Sequence, residues 1–221
     1  MTHDHDHAPK MSEMFTPEFW DERYRSAPAL WSGNPNSRLV EHATDLTPGA
    51  ALDIGSGEGA DAIWLASRGW RVTGIDVSEV ALQRAAERAA AAGHQVADRI
   101  TWLQADLLAQ GPGPQEFDLV SAQFMHVPPG QRELLHRRLG EAVRPGGTLL
   151  IVGHHPSDLL QTSVGRPHLP ELLFTAEQVT ATLDPDDWTI LVAAAPERQA
   201  TDPDGHAITI HDTVVKAQRR R

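Results

Sequence analysis

Apolar positions along the chain alternate between two rhythms. Short apolar runs of strand length lie at residues 51–54, 71–75, 100–104, 117–121 and 148–152. Between them, apolar residues return at the three-to-four-residue spacing of a helix. Predicted helices cover residues 58–67, stopped by Gly69; 79–92, capped by Ser78 and closed by Gly93; and 129–143. The last of these turns Leu134, Leu135, Leu139 and Ala142 inward and Arg132, Arg137 and Arg138 outward as a solvated face. Arg144-Pro145-Gly146-Gly147 then turns the chain into the fifth strand. Strand and helix alternating in this way predict a doubly wound α/β fold with a mostly parallel sheet. Its ligand crevice is expected at the carboxyl ends of the first, second and fourth strands.

The flanks follow a different pattern. Thr16 caps a helix with Pro17 at its first position, and Phe19, Trp20, Arg23 and Tyr24 fall at helical spacing. A Gly/Pro/Asn-rich loop from Trp31 to Ser37 leads to a second short helix at 38–44. Toward the C-terminus, Thr175 and Gln178 make a capping box for a helix reaching about residue 183. Strands at 188–193 and 207–215, joined by a polar loop, suit an antiparallel pair.

The first strand runs directly into a glycine turn, Ala51-Leu52-Asp53-Ile54-Gly55-Ser56-Gly57-Glu58-Gly59. Such a junction lets the backbone turn tightly, approach a ligand and aim the next helix's free N–H groups at it. Gly55-x-Gly57-x-x-Ala60 also satisfies the dinucleotide fingerprint. Asp53 weighs against that reading, because an acid at this point repels phosphate and welcomes an amine. Glu58 deepens the negative field. Asp76, at the end of the second strand, suits a ribose diol in either kind of site.

Composition narrows the partners. The 221 residues, 40% hydrophobic, suit a single α/β domain, and a formal net charge of −11 disfavours an extended nucleic-acid surface. Only Arg219-Arg220-Arg221 is a dense basic run, and a solvated tail accounts for it. The absence of cysteine removes disulfides and thiolate nucleophiles. No run is long and apolar enough to span a bilayer, so no membrane partner is expected, and a cytoplasmic location is the default expectation. His3, His5 and His7 alternate with Asp4 and Asp6 in a segment, residues 1–14, expected to be a disordered tail, and no metal site is assigned to it. Residues 15–221 are then one domain, with 15–47 as a helical lid. Composition sets no oligomeric state.

The glycine motif resembles that of the class I S-adenosylmethionine-dependent methyltransferases, whose first motif reads apolar-Asp-apolar-Gly-x-Gly-x-Gly. The likeness continues, in order, through Thr73-Gly74-Ile75-Asp76-Val77-Ser78, Gln104-Ala105-Asp106-Leu107, Phe117-Asp118-Leu119-Val120 and Arg144-Pro145-Gly146-Gly147-Thr148-Leu149. The N-terminal Phe19-Trp20-Asp21-Glu22-Arg23-Tyr24, with Trp31 and Pro35, looks like small methyltransferases of the tellurite-resistance and thiopurine S-methyltransferase type. The resemblance implies S-adenosylmethionine as cofactor and a seven-stranded sheet closed by the C-terminal pair. It also implies cofactor contacts from Asp53, Gly55, Gly57, Gly59, Asp76, Val77, Asp106, Leu107 and Gln123, with Asp106 toward the adenine amino group or, alternatively, capping its own loop. Trp31 and Arg38 are implied at the methionine end, with core packing and a surface role as the alternatives.

The implied reaction is methyl transfer to a small molecule: a thiol, chalcogen oxyanion, phenol or amine, with the N-terminal likeness favouring a soft acceptor. His126, just past the fourth strand, is either a general base or a structural histidine lining the cofactor's underside. Tyr24, His154 and His155 are candidate substrate contacts. Because adjacent residues of an extended chain point apart, His154 and His155 are not expected to share a metal. The loop 161–170, with Arg166 and His168, is expected to cover the pocket. Two rival readings are an NAD-dependent oxidoreductase and a cofactor-binding protein that transfers no methyl group.

Overall fold

The computed structural model describes residues 13–114, 116–160, 169–202 and 204–221. The His/Asp-rich segment and most of the loop carrying Arg166 and His168 lie outside the described residues. Helices are α1 (Pro17–Arg25), α2 (Ser37–Ala43), α3 (Ala60–Ser67), α4 (Glu79–Ala91), α5 (His94–Ala97), α6 (Pro129–Ala142) and α7 (Ala176–Thr180). Strands are β1 (Ala50–Ile54), β2 (Arg71–Asp76), β3 (Ile100–Gln104), β4 (Phe117–Gln123), β5 (Val143–His154), β6 (Trp188–Ala194), β7 (Glu197–Thr201) and β8 (Ala207–Arg219).

The sheet runs in the order β3-β2-β1-β4-β5-β8-β6, with parallel pairing from β3 through β5 and antiparallel pairing of β8 with β5 and β6. The doubly wound expectation and the antiparallel C-terminal strands are both present. Chain order reverses between β1 and β4, which makes the gap above their carboxyl ends the place where such sheets take ligands.

Both faces of the sheet are covered. On one, Leu39, Ala43, Leu65, Ala66 and Trp70 pack against Ala51, Val72, Leu119, Leu150 and Val152. On the other, Leu135, Leu139, Phe174 and Val179 pack against Leu52, Ile54, Val120, Leu149 and Ile151. Burial on both sides is why β1, β4 and β5 read as near-continuous apolar runs.

Several expectations need correction. The polar loop between the last two strands contains β7, which pairs Glu197–Thr201 with the start of β8 and carries the sheet's edge beyond β5 as a hairpin arm. Arg144-Pro145-Gly146-Gly147 is a bulge within β5: Val143 already pairs with Phe117, and the register shifts before Leu119 meets Thr148. Arg132 is not solvated. It is buried, donates to the carbonyls of Glu171 and Leu173, and lies over the Phe174 ring, while Leu134 is exposed. Arg138 likewise donates to the carbonyls of Leu107 and Leu108. Periodicity cannot separate these cases, because carbonyls of another segment solvate an arginine as water would.

Gly153 shows how tightly the end of β5 is packed. A Cβ built there would sit 2.3 Å from the Phe174 ring. Gly153→Ala is therefore expected to destabilise the fold by about 1–3 kcal/mol, the usual cost of overpacking. A thermal melt checks it, and an unchanged midpoint would mean that Phe174 has room to move.

Candidate active site

The glycine turn adopts backbone angles that need glycine. Gly55, Gly57 and Gly59 have φ of 64°, 51° and 84°, the left-handed region that side chains disfavour. Each has a different neighbour. Met125 lies within 4 Å of a Cβ at Gly55; the Tyr24 hydroxyl would be 2.9 Å from one at Gly57; Ala85 and the Trp102 ring would be under 3 Å from one at Gly59. Gly59 is thus a packing glycine, seating α3 against its neighbours, and it caps α3 so that the helix begins at Ala60, two residues later than the pattern predicted.

Asp76 fixes the turn. One of its carboxylate oxygens accepts from Gly57 N–H at 2.8 Å and the other from Ser78 N–H at 2.9 Å, which ties the end of β2 to the loop after β1. A carboxylate has lone pairs left after two such bonds, so this bracing leaves it able to accept from a ligand hydroxyl.

Beneath the turn lies concentrated negative charge. Asp53 is buried at 2% exposure, and its Oδ2 has no hydrogen-bond partner. Burial first, then Asp61 and Asp76, push its carboxyl well above the usual range. Burial raises Asp61 to about 6 despite the Asn36 amide, and burial also raises Asp76. Ser56 Oγ and Gln123 Oε1 are likewise buried without partners. Register sets Asp53 beside Ser121, two residues before Gln123, while Ser56 lies toward Gly74 of β2. Orphaned buried acceptors of this kind mark a place for a ligand.

Glu58 does not add to that field, contrary to expectation. It is buried with Arg84 at 3.2 Å and Arg88 at 3.3 Å, and it accepts from the amides of Leu30 and Trp31. Asp61 accepts from Asn36 N–H at 2.6 Å. The start of α3 therefore holds down the loop that follows α1. Asp21 of α1 in turn accepts from the Ser78 hydroxyl and Val80 N–H. The N-terminal segment is thereby draped across the turn, with Trp31 Nε1 donating to the Tyr24 hydroxyl directly over Gly57. Burial and the nearby Asp76 raise the Tyr24 phenol, keeping it a neutral donor.

Residues 51–147 match a family model described as a methyltransferase domain. Over that stretch, a little under half of the chain, the sequence is similar to methyltransferase domains. It is 26% identical over 59% of its length to a probable thiol methyltransferase of Arabidopsis thaliana. It spans about three-fifths (59%) of that relative's length. The fold is similar to that of a protein solved in connection with the conversion of a disulfide bond into a thioacetal group during echinomycin biosynthesis. That likeness has a TM-score of 0.71 and 23% identity, covering 92% of this chain and 91% of that one. It is also similar to TehB from Haemophilus influenzae, with a TM-score of 0.65 and 19% identity over 93% of this chain and 67% of that one.

Around the crevice the remaining predicted residues separate into two groups. Val77, with its carbonyl bonded by Gln104 Nε2, and Gln123 stay at the rim of the crevice. Leu107 is a core residue, and the Asp106 carboxylate caps its own turn through the amides of Leu108 and Ala109. Arg38 is not brought to the glycine turn: Asp212, Glu41 and the carbonyls of Pro196 and Glu197 take its guanidinium. Its side chain locks α2 to the β7–β8 arm.

Past β4, His126 Nε2 accepts from the His154 amide at 3.0 Å. The lone pair a base would use is therefore engaged, which favours the structural reading of this histidine. Its ring stacks on His154 at 4.7 Å, and His154 meets Phe124 at 4.5 Å. His155 turns the other way, toward Ser157 and His211, so the two histidines point apart as expected. Sequence reasoning missed Asp61, Met125, Phe124 and Arg198. Asp61 alone carried a signal, an acid in the first turn of the helix after the glycines.

Asp76→Asn would place an amide N–H₂ against a backbone N–H, because both carboxylate oxygens are acceptors. The variant is expected to melt earlier and to bind S-adenosylmethionine about 10- to 150-fold more weakly, the equivalent of roughly 1.5–3 kcal/mol for a charged hydrogen-bond partner. Calorimetric titration measures it, and wild-type affinity in the variant would place the ribose elsewhere.

Proposed function

We propose that this protein transfers the methyl group of S-adenosylmethionine to a small-molecule acceptor. The observation that carries the reading is the trio of buried Asp53 with half-buried Asp61 and Asp76, which have no arginine, lysine or histidine partner among the described residues. A dinucleotide's diphosphate would be repelled there. A ligand with an ammonium and a sulfonium supplies the charge these carboxylates lack. This argument also disfavours the NAD-dependent alternative.

When bound, the cofactor supplies a methyl group already activated by positive sulfur. What the chain must do is position and enclose. Asp53 is assigned to the ammonium, Asp76 to the ribose hydroxyls, and Tyr24 with Trp31 to a roof that excludes water. Met125, against Gly55, lines the floor beside it. His126 and His154 form the wall toward the acceptor, and no base is required for a thiolate or a soft oxyanion. The probable thiol methyltransferase relative supports a soft acceptor, in keeping with the N-terminal likeness.

Parallel titrations with S-adenosylmethionine and NADH test the reading, and binding of NADH alone would overturn it. Linkage gives a sharper expectation. Raised carboxyls hold protons below their folded pKa values, and a cation binds best to the deprotonated cluster. Binding should therefore release protons and weaken as pH falls through about 6, the value for Asp61. Calorimetry in two buffers of different ionisation enthalpy measures the release, which Asp53→Asn should diminish.

A further inference from the structure

The methyl-transfer reading leaves the acceptor unnamed, and any assignment of the group that recognises an acceptor rests on that reading. Charge is distributed unevenly along the carboxyl edge of the sheet. Above β1 and β2 it is negative and unanswered. Toward β5 and β8 two arginines, Arg38 and Arg198, stand among the acids Asp212 and Glu41.

This end is built from two arginines on one buried acid. Asp212, 1% exposed and paired with His154 across β5 and β8, accepts from Arg38 Nε at 3.2 Å. Arg198 Nε donates to both of its oxygens, at 2.9 and 3.0 Å. Arg38 is shared between that carboxylate and Glu41, and two carbonyls take its remaining donors. The terminal nitrogens of Arg198 have no acceptor among the described residues, and its side chain is 33% exposed.

The position of that fork is specific. Arg198 stands on β7, paired with Ile210, yet its guanidinium lies 5.9 Å from the ring centroid of Phe124, at the end of β4. The side chain therefore crosses the ends of β8 and β5, over the edge where open α/β sheets take ligands. Phe124 has φ of 54°, the one positive value outside glycine among the described residues. Backbone strain of this kind concentrates at ligand sites, and here it presents an aromatic face under the guanidinium and beside His154.

We propose that Arg198, stacked on Phe124, recognises an anionic group on the methyl acceptor, a carboxylate or oxyanion borne on a small apolar or aromatic body. A planar guanidinium fork matches such a group bidentately, which a lysine would not. The two ends of the crevice then divide the work: the acidic end takes the cationic cofactor, and the Arg198 fork takes the anionic acceptor.

Benzoate and benzamide are matched probes that need no methyl transfer. Titrated into the full-length protein with S-adenosylhomocysteine present, benzoate should bind at least ten-fold more tightly than benzamide. Arg198→Met should erase that difference, and Arg198→Lys, which keeps a cation beside Asp212 without the planar fork, should weaken benzoate binding several-fold. Thermal melts establish that each variant is folded. Equal binding of the two probes by wild type, or benzoate affinity unchanged in either folded variant, would overturn the assignment. Thiophenol and 2-mercaptobenzoate extend the test to turnover, where wild type should favour the carboxylate and Arg198→Met should lose that preference through KM. A protein that fails to bind S-adenosylmethionine but discriminates benzoate from benzamide would remove the methyl-transfer reading and leave the anion site standing.

Discussion

Buried negative charge without a protein cation to answer it is the constraint around which this crevice is built. Two other buried acids among the described residues are compensated by arginine: Glu58 by Arg84 and Arg88, Asp212 by Arg38 and Arg198. At Asp53, Asp61 and Asp76 burial raises the carboxyls instead, and Asp61 and Asp76 raise Asp53 further. Such an arrangement destabilises the empty crevice and gives a cationic ligand a differential affinity for the deprotonated state. The cost to the fold and the means of recognition are the same interaction.

The rest of the site follows from holding that cluster in place. The left-handed glycines allow β1 to turn beneath the ligand, and the bonds from Asp76 to Gly57 and Ser78 brace the turn from the side. Glu58 and Asp61 then use the same helix start to capture the N-terminal segment through backbone amides. Asp61 is thus part of the field and an anchor of the roof. A change in charge at the start of α3 is transmitted to Tyr24 and Trp31 without any long pathway.

How much of this was legible depended on how local its cause was. The strands of the parallel core announced themselves because burial on both faces leaves no polar alternation. The glycine turn was readable because its residue types are dictated by backbone angle. Asp76 was recognisable as a site residue, but its bracing of Gly57 spans 19 residues and leaves no pattern in the sequence. Glu58 was misjudged for the same reason, since Arg84 and Arg88 come a helix later. Strand β7, Glu-Arg-Gln-Ala-Thr, is polar throughout and becomes a strand through its pairing with β8. Arg38 read as a contact for the methionine end or a surface residue, and Arg132 as solvated, because nothing nearby in sequence reveals the carbonyls and carboxylate that hold them. Phe124 gave no signal, since its conformation is imposed from outside.

The central claim is that the aspartate cluster is protonated in part when empty and is discharged by the cofactor. Carboxyl ¹³C resonances of isotopically labelled aspartates, titrated against pH, read this directly, with Asp53→Asn and Asp61→Asn supplying the assignments. Without ligand, Asp53 is predicted to titrate well above an ordinary aspartate and Asp61 at about 6. Saturation with S-adenosylmethionine should move both downward, and NADH should move neither. Ordinary aspartate titration in the free protein, or curves that S-adenosylmethionine leaves in place, would contradict the account.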